Sequence, residues 1–212
     1  MNTCYIVCAL NCNLDFVIDS TDFIIGADKG YLTLVENKIK PDLVIGDFDS
    51  YTGEIQCESI IKFPVKKDFT DSALAIEKAI SMGYKKIVVY GAIGGFLDHT
   101  LANVALLADF TKKGYEILFI DGVNVAFALY NSKITFTEEA KGRISVLSYT
   151  DISVGVCEKG LLYELDNAIL KSVTPLGVSN EFIEKESEIS VENGVLIIYT
   201  SKENYEKHLT RQ

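Results

Sequence analysis

The N-terminal half of the sequence alternates short, β-branched apolar runs with longer amphipathic segments, and this alternation constrains the fold more than any other feature. Two of the segments, Asp71–Met82 and Asp98–Lys113, carry apolar residues at three- and four-residue spacings, which predicts helices. Gly83 and Gly114 follow them directly as predicted C-caps. The predicted strands are Cys4–Leu10, Phe23–Ala27, Leu43–Ile45, Ile87–Tyr90 and Glu116–Asp121. Because such helices can cross over between parallel strands, the pattern predicts a parallel sheet.

The pattern changes after Val123, where short β-rich runs follow one another without a convincing long helix between them. These runs are Ser132–Thr137, Arg143–Ser148, Ile152–Val156, Ala168–Lys171, Glu188–Val191 and Val195–Thr200. Their regular spacing, with Gly, Asn and Asp between them, predicts a β-sandwich of about 85 residues. The predicted fold class is therefore α/β, with a Rossmann-like parallel-sheet domain at residues 1–123 and an all-β sandwich at residues 124–212.

The charge balance and the lack of long basic or apolar runs exclude several classes of protein. The 30 acidic and 20 basic residues give a formal net charge of −10, which argues against binding to nucleic acid. No basic segment precedes the apolar stretch Tyr5–Leu10, and no apolar run approaches about 18 residues. We therefore expect a cytoplasmic protein without a membrane span.

The five cysteines are an odd number in a chain of this size, which predicts reduced thiols rather than a disulfide framework. Cys4, Cys8 and Cys12 are regularly spaced, so a zinc site is an alternative. Burial of Cys4 and Cys8 on the first predicted strand is the simpler interpretation, because small apolar residues suit such a strand.

The most informative motif contains Asp47 and Asp49, which follow the apolar strand Leu43–Ile45 in the run Gly-Asp-Phe-Asp-Ser. Ligands of open α/β sheets bind beyond the carboxyl ends of the strands, where these two side chains would project. In extended backbone, residues two apart share a face at about 6.6 Å, which is close enough to hold one hydrated Mg²⁺. The alternative is a turn in which both aspartates only accept hydrogen bonds from local backbone amides.

Two further motifs open the predicted helices. In the first, Lys-Asp-x-Thr-Asp, either Asp68 or Thr70 could cap the helix, and the free amides at the same helix end also suit a phosphate. In the second, the glycine loop Gly91–Gly95 lies between a strand and a helix, where backbone amides can approach a phosphate. For Asp98 and His99, which follow that loop, an N-cap and an ordinary helix residue are the alternatives to a functional role.

A fourth motif, Ala-Asp-Lys-Gly, lies just past the strand Phe23–Ala27. Each of the four motifs therefore follows a strand or begins a helix. Helix capping by itself explains this arrangement poorly. Together they place one set of carboxylates around a single sheet edge, namely Asp28, Asp47, Asp49, Asp71 and Asp98. Such a carboxylate-rich edge lined by glycine suits Mg²⁺ with a polyphosphate.

The order of these motifs closely resembles that of thiamine pyrophosphokinases. The matching motifs are Ala-Asp-x-Gly, Pro-Asp-x-x-x-Gly-Asp-x-Asp-Ser, Lys-Asp-x-Thr-Asp and Gly-x-x-Gly-Gly-x-x-Asp-His. Downstream, Gly160–Leu165 is similar to the family's Gly-Leu-Lys-Tyr-Pro-Leu segment, and Gly177–Glu181 is similar to its Gly-x-Ser-Asn-Glu segment. The resemblance spans roughly residues 25 to 200.

The resemblance implies a homodimer in which thiamine lies between the α/β domain of one subunit and the sandwich of the other. It also implies transfer of a diphosphoryl group from ATP to the thiamine hydroxyl, with Mg²⁺ as cofactor. Asp47, Asp49 and Asp71 are then candidate metal ligands, and Asp71 or Asp98 would orient the hydroxyl. The candidates around ATP are Asp28, Gly30, Ser50, Asp68, Thr70, Gly94, Gly95 and His99, and those around thiamine are Tyr163, Ser179 and Asn180.

The sequence also departs from the family pattern. Phe96 stands where the family usually has arginine, which removes a guanidinium that could pair with phosphate. Lys29 stands in place of a glycine, and the turn after the first strand lacks the expected glycine. Two alternatives therefore stay open: a diphosphokinase for another hydroxymethyl heterocycle, such as a pterin, and a sensor that binds nucleotide or thiamine without turnover.

Overall fold

The computed structural model describes residues 2–48, 53–63 and 69–211, so Asp49, Ser50 and Asp68 lie outside the described residues. The chain divides into two compact units. The first comprises Met1–Leu106 and Tyr115–Gly122, and the second comprises Leu107–Gly114 and Val123–Gln212.

The first unit contains a parallel sheet. Its strands are β1 (Thr3–Val7), β2 (Phe23–Ala27), β3 (Leu43–Gly46), β4 (Ile60–Lys62), β5 (Lys86–Tyr90) and β6 (Glu116–Asp121). Their pairings are parallel and follow the order β6-β5-β1-β2-β3-β4. This confirms the predicted parallel sheet and adds β4, which the sequence pattern did not indicate. Because β1 lies between β2 and β5, the direction in which the chain winds reverses at β1.

The first strand is shorter than predicted, because it ends at Val7 rather than at Leu10. Beyond Val7 the chain bonds to the end of β5. The Cys8 amide donates to the Tyr90 carbonyl at 2.8 Å, and the Leu10 amide donates to the Gly91 carbonyl at 3.2 Å. Residues 8–10 therefore form a loop against the glycine loop that follows β5.

Helices α1 (Gly30–Glu36), α2 (Asp71–Ser81) and α3 (Leu97–Lys112) connect these strands. The predictions of α2 and α3 are confirmed to within one residue at each end. Gly83 and Gly114, at φ of 94° and 83°, adopt the left-handed backbone that follows a helix end. Helix α1 was not predicted. It has only seven residues, and Lys29, which precedes it, makes no side-chain cap that would mark its start.

The second unit is antiparallel beyond Val123. One group of strands has the order β12-β9-β14-β7, and the other has the order β11-β10-β13-β8-β15. The strands are β7 (Asn124–Tyr130), β8 (Lys133–Phe136), β9 (Arg143–Ser148), β10 (Ile152–Lys159), β11 (Leu165–Lys171), β12 (Asn180–Glu181), β13 (Ser187–Ser190), β14 (Val195–Ser201) and β15 (Leu209–Arg211). A π-helical turn, Asn204–His208, precedes β15. The six predicted runs all fall on strands, but β7, β12 and β15 were missed.

Aromatic side chains fill much of the core of the second unit. Phe127 of β7 meets Tyr205 edge to face, with ring centroids 4.9 Å apart. Phe136 of β8 packs in the same way on Phe182 at 5.1 Å. Because Phe127 and Phe136 are fully buried, these pairs anchor their strands by burying apolar area and by favourable ring geometry.

All five cysteines are free thiols, which confirms the prediction that no disulfide framework is present. Within the described ranges, no helix combines the length and the apolar character that crossing a membrane requires.

Candidate active site

The strands of the parallel sheet end at one edge, and a motif residue directly follows several of them. These residues are Cys8 after β1, Asp28 after β2, Asp47 after β3 and Gly91 after β5. Open α/β sheets bind ligands at this edge, beside the strand where the direction of winding reverses. Since β1 is that strand, the edge around Cys8 is the candidate active site.

Two glycines allow the backbone to approach closely at this edge. A Cβ atom at Gly30 would lie 1.8 Å from the Val7 carbonyl oxygen, so only glycine lets α1 begin against the end of β1. A Cβ atom at Gly46 would lie 3.1 Å from the Asp28 Cα. The Asp28 amide donates to the Ile45 carbonyl at 2.7 Å. These contacts bring Asp28 to the end of β3.

The Asp28 carboxyl interacts electrostatically with Asp71 and with Asp47. Burial raises the pKa of Asp28, and the negative charges of Asp71 and Asp47 raise it further against an opposing hydrogen bond from the Lys29 amide. Asp28 also has a φ of 50°, a left-handed conformation that is uncommon outside glycine. Because like charges near one carboxyl favour a neighbouring cation, Asp28 and its two partners mark this edge as a candidate cation site. The structure therefore brings together these three of the predicted aspartates.

Carboxylates are the hard oxygen donors that Mg²⁺ prefers, so the chemistry of the side chains fits this cation. Within the described ranges, however, no group of three or more His, Cys, Asp or Glu side chains is close enough to hold a metal ion. Asp49, the second aspartate of the Gly-Asp-Phe-Asp-Ser motif, lies outside those ranges. The ligand set of Asp47, Asp49 and Asp71 thus stays a prediction.

Cys8 lies close to the same carboxylates. Burial raises its pKa to about 12, and Cys12, Asp71 and Asp28 contribute to the increase. Cys8 is only 6% exposed, so it is a buried residue at this edge, as the simpler sequence interpretation predicted.

The glycine loop after β5 has a left-handed backbone at Gly91, Gly94 and Gly95. The Gly94 amide donates to the Thr100 hydroxyl at 3.1 Å, and that oxygen also lies 3.0 Å from the Gly94 carbonyl. A Cβ atom at Gly95 would lie 2.6 Å from the Leu10 side chain. The loop is thus held by α3 on one side and by the loop after β1 on the other.

A chain of buried polar groups connects the α2 N-terminus to the same loop. Thr70 caps α2 by accepting from the Ala73 amide at 3.3 Å, which confirms one of the two predicted caps. The Thr70 and Ser72 hydroxyls are 3.0 Å apart, and Ser72 donates to the Asn103 side chain at 2.7 Å. The Asn103 amide group then donates to the Ala92 carbonyl at 2.7 Å. This network fixes α2, α3 and the glycine loop relative to one another.

Replacing Asn103 by leucine is expected to lower the free energy of unfolding by about 2 kcal/mol, because the buried Ala92 carbonyl loses its donor. Urea denaturation of purified protein measures this loss. Ala102→Leu is the control, since Ala102 is exposed on the same helix. Equal stability of the Asn103 variant and the wild type would mean that the network does not fix the loop.

Asp98 and His99 lie exposed in the first turn of α3. Asp98 accepts a hydrogen bond from the His99 amide at 2.9 Å. The rings of His99 and Phe96 have centroids 6.3 Å apart, and Phe96 is 77% exposed. Both predicted polar side chains are therefore accessible to a ligand that approaches the glycine loop.

In the second unit, the three candidates for thiamine binding lie on two neighbouring segments. Tyr163 is 66% exposed. Ser179 is exposed and left-handed at φ 64°, and its amide donates to the Ser145 hydroxyl at 3.1 Å. Asn180, by contrast, is only 4% exposed, and its side chain bonds to the backbone of Tyr163 and to Glu158. Two of the three side chains are thus available at the surface.

The sequence analysis missed several residues that shape these sites. They are Leu10, Thr100 and Asn103 in the first unit and Glu158 in the second. Thr100 directly follows the Asp-His pair, so its position next to a recognised motif could have marked it as a candidate site residue. Asn103 forms hydrogen bonds with residues distant in sequence, so no local sequence pattern indicates its role.

A parallel sheet with interacting aspartates and a glycine loop at its carboxyl edge is typical of an enzyme that transfers phosphoryl groups. The model of "Thiamin pyrophosphokinase, catalytic domain" matches residues 14–119, and that of "Thiamin pyrophosphokinase, vitamin B1 binding domain" matches residues 131–196. The chain belongs to the thiamine pyrophosphokinase family.

Individual relatives agree with this assignment. The chain is 30% identical over 184 residues to thiamine pyrophosphokinase of Bacillus subtilis, covering 84% of this chain and 86% of the relative. The crystal structure of the Bacillus subtilis enzyme matches with a TM-score of 0.82 at 28% identity, covering 94% of this chain and 99% of that one. A family protein from Enterococcus faecalis matches with a TM-score of 0.83 at 28% identity, covering 95% and 99%.

Proposed function

We propose that this chain transfers the diphosphoryl group of ATP to the hydroxyl of thiamine, giving thiamine diphosphate and AMP. The observation that carries this proposal is the electrostatic interaction of Asp28, Asp47 and Asp71 at the carboxyl edge, in a chain that matches both family domains. Residues 1–123 form the Rossmann-like domain that binds ATP, and residues 124–212 form the sandwich that binds thiamine.

Asp47, Asp49 and Asp71 would hold Mg²⁺ bound to ATP. A cation held there would neutralise charge on the phosphate oxygens and favour their alignment for displacement. Thr70 and the α2 N-terminus, with its free amides, lie next to Asp71 and favour a negatively charged group. The other described candidates around the nucleotide are Asp28, Gly30, Gly94, Gly95 and His99.

In the reaction, the thiamine hydroxyl oxygen forms a bond to the β-phosphorus of ATP, the bond from that phosphorus to the bridging oxygen of AMP breaks, and the hydroxyl proton is released. Asp71 or Asp98 orients the hydroxyl for this attack. Orientation is a more suitable role than proton abstraction, because a carboxylate beside a cation has a low pKa and is a weak base.

Thiamine carries a positive thiazolium ring, which an aromatic face and an acidic protein both attract. Tyr163 offers an exposed ring for such a contact. Ser179 offers an exposed hydroxyl on a strained left-handed backbone, the kind of outlier that concentrates at ligand sites.

A cytoplasmic homodimer with thiamine at the subunit interface completes the proposal. It is supported by large apolar side chains exposed on the second unit, which include Ile152, Ile169, Val173 and Leu176. Contiguous exposed apolar surface marks regions that another chain covers, so these side chains are candidates for the interface.

A sensor without turnover is the second candidate. Phe96 supplies no positive charge for the phosphates, and the Gly94 amide is already bonded to Thr100. Both observations reduce the number of groups that the glycine loop offers to a phosphate.

The test is to incubate purified protein with ATP, Mg²⁺ and thiamine and to quantify AMP and thiamine diphosphate by chromatography. We expect both products in equal amounts, and neither when EDTA removes the cation. A parallel reaction with a hydroxymethylpterin should give no AMP. Tight ATP binding without AMP would support the sensor, and turnover of the pterin alone would overturn the choice of thiamine.

A further inference from the structure

Glu158 on β10 is an acidic residue buried in the core of the second unit, with no exposed surface. Its Oε2 accepts a hydrogen bond from the Asn180 side chain at 2.9 Å. Its Oε1 has no hydrogen-bond partner in the described part of the chain. Burial raises the pKa of Glu158 to about 7, because the charged form would lose its hydration without gaining a counter-ion. In its neutral form, the residue supports Asn180 without placing a charge in the core.

The Asn180 side chain uses its full hydrogen-bonding capacity inside the protein. Its Oδ1 accepts from the amides of Tyr163 at 3.0 Å and of Glu181 at 2.9 Å. Its Nδ2 donates to the Tyr163 carbonyl at 2.7 Å and to Glu158. An asparagine amide has two such donors and two principal acceptor positions. Asn180 therefore has nothing left to offer a ligand, and its bonds hold the Tyr163 backbone from both sides.

The other contacts of the segment that carries Tyr163 lie on either side of this residue, and one of them is a hydrogen bond from the Gly160 amide to the Glu164 carboxylate at 2.7 Å. Leu161 pairs with Phe182 in an isolated antiparallel bridge, and the Leu162 amide donates to the Glu181 carbonyl at 2.9 Å. Beyond this short pairing, the Tyr163 ring projects with 66% of the residue exposed. The two bonds from Asn180 thus fix the backbone at the point where the exposed ring begins.

Stability by itself does not explain an acid at this position. A buried acid with one unpartnered oxygen contributes less to folding than an apolar side chain of similar volume. An unsatisfied polar group in a core therefore needs another explanation. The hydrogen bond that Glu158 accepts from Asn180 suggests that the acid is present to hold that side chain.

We propose that Glu158 and Asn180 are positioning residues of the thiamine site, which fix the backbone of Tyr163 so that its ring is presented in one orientation. This inference rests on the proposed function, in which Tyr163 contacts thiamine. A ring held in place before binding loses less conformational entropy when the ligand arrives, so the effect falls on affinity for thiamine and not on ATP.

The kinetic test compares Glu158→Gln with Glu158→Leu. Glutamine keeps an acceptor for Asn180, so its KM for thiamine should stay within about twofold of the wild type, whereas leucine should raise it about tenfold. The KM for ATP, and kcat at saturating thiamine, should change little in both variants. Equal rises in both KM values, or an unchanged KM for thiamine in Glu158→Leu, would overturn the inference.

The structural test follows amide hydrogen exchange at Tyr163. Exchange should be faster in Glu158→Leu than in Glu158→Gln, because the amide loses a firmly placed acceptor. Ser187→Ala is the matched control, since it removes the other buried group without a partner in the described residues while leaving Tyr163 untouched. If Glu158→Leu does not fold, Asn180→Ser supplies both measurements, because serine is too short to span the two contacts.

The two proposals fail in different ways. If the wild type does not convert thiamine, the proposed function fails, yet the exchange measurement still tests whether Glu158 and Asn180 hold Tyr163. If thiamine turns over normally and Tyr163 exchange is unaffected by Glu158→Leu, only the positioning role is lost.

Discussion

Replacing Asp71 by asparagine should lower kcat/KM by about a thousandfold, because in the proposed mechanism Asp71 holds the cation that stabilises the transition state by several kcal/mol. Its effect on folding should be small, since two contributions oppose each other. The first turn of α2 loses a negative charge, which is unfavourable by about 0.3–1 kcal/mol. The repulsion between Asp71 and Asp28 is relieved at the same time. Steady-state kinetics and thermal unfolding on one preparation measure both effects.

The Asp71 variant also has a readout that is independent of turnover. Because the charge of Asp71 raises the pKa of Asp28, that pKa should fall in Asp71→Asn, which NMR titration of the Asp28 carboxyl can measure. The control is Glu77→Gln, an exposed change on the same helix that should leave both rate and titration unchanged. A rate within about threefold of the wild type would remove Asp71 from the catalytic machinery.

The second large effect concerns the pH dependence of stability. The pKa of Glu158 is raised by burial from 4.5 to about 7, so between these values the folded state binds more protons than the unfolded state. The contribution of Glu158 to the free energy of unfolding is therefore most favourable below pH 4.5. It falls as pH rises through this window and is constant above it. One pKa unit corresponds to about 1.4 kcal/mol, so the loss is about 3 kcal/mol.

Glu158→Gln removes this titration. The variant should gain about 3 kcal/mol relative to the wild type between pH 4.5 and pH 8, as measured by urea denaturation at a series of pH values. Glu138→Gln is the control, because Glu138 is exposed and the difference from the wild type should not change with pH. A constant difference for the Glu158 variant would show that Glu158 titrates at its ordinary pKa.

The sequence pattern predicted long, strongly periodic elements well and short or fully buried ones poorly. The apolar spacing in α2 and α3, with glycine after each, located these helices because one face of each must be buried. Strand β7 was missed because its residues Val125–Leu129 are all buried, so it shows no alternation of apolar and polar residues. Strand β4 was missed because its three residues are too few for a period to emerge.

The candidate site likewise has some features that the sequence predicted and others that it did not. Three aspartates were predicted to lie at one edge of the sheet, namely Asp28, Asp47 and Asp71. The prediction was possible because each follows a strand or begins a helix, and parallel strands end at the same edge. The bonds from Ser72 to Asn103 and from Asn103 to Ala92 were not predictable, because each joins residues from different elements. The burial of Asn180, whose side chain bonds to the Tyr163 backbone, was likewise not visible in the motif.

The sequence patterns were enough to predict the parallel sheet, the change to antiparallel strands, and the edge that carries the acidic and glycine motifs. The burial of Glu158 in the core, by contrast, follows from strand pairing. Strict alternation from buried Ser153 would point residue 158 outward, but β10 shifts register on both sides of Val156 relative to β11. Gly155, at φ 67°, permits this irregularity. Side chains on a strand alternate with a period of two, so a shift of one residue moves every later side chain to the opposite face of the sheet. The shift in β10 occurs in its pairing with β11, which the sequence of β10 does not show.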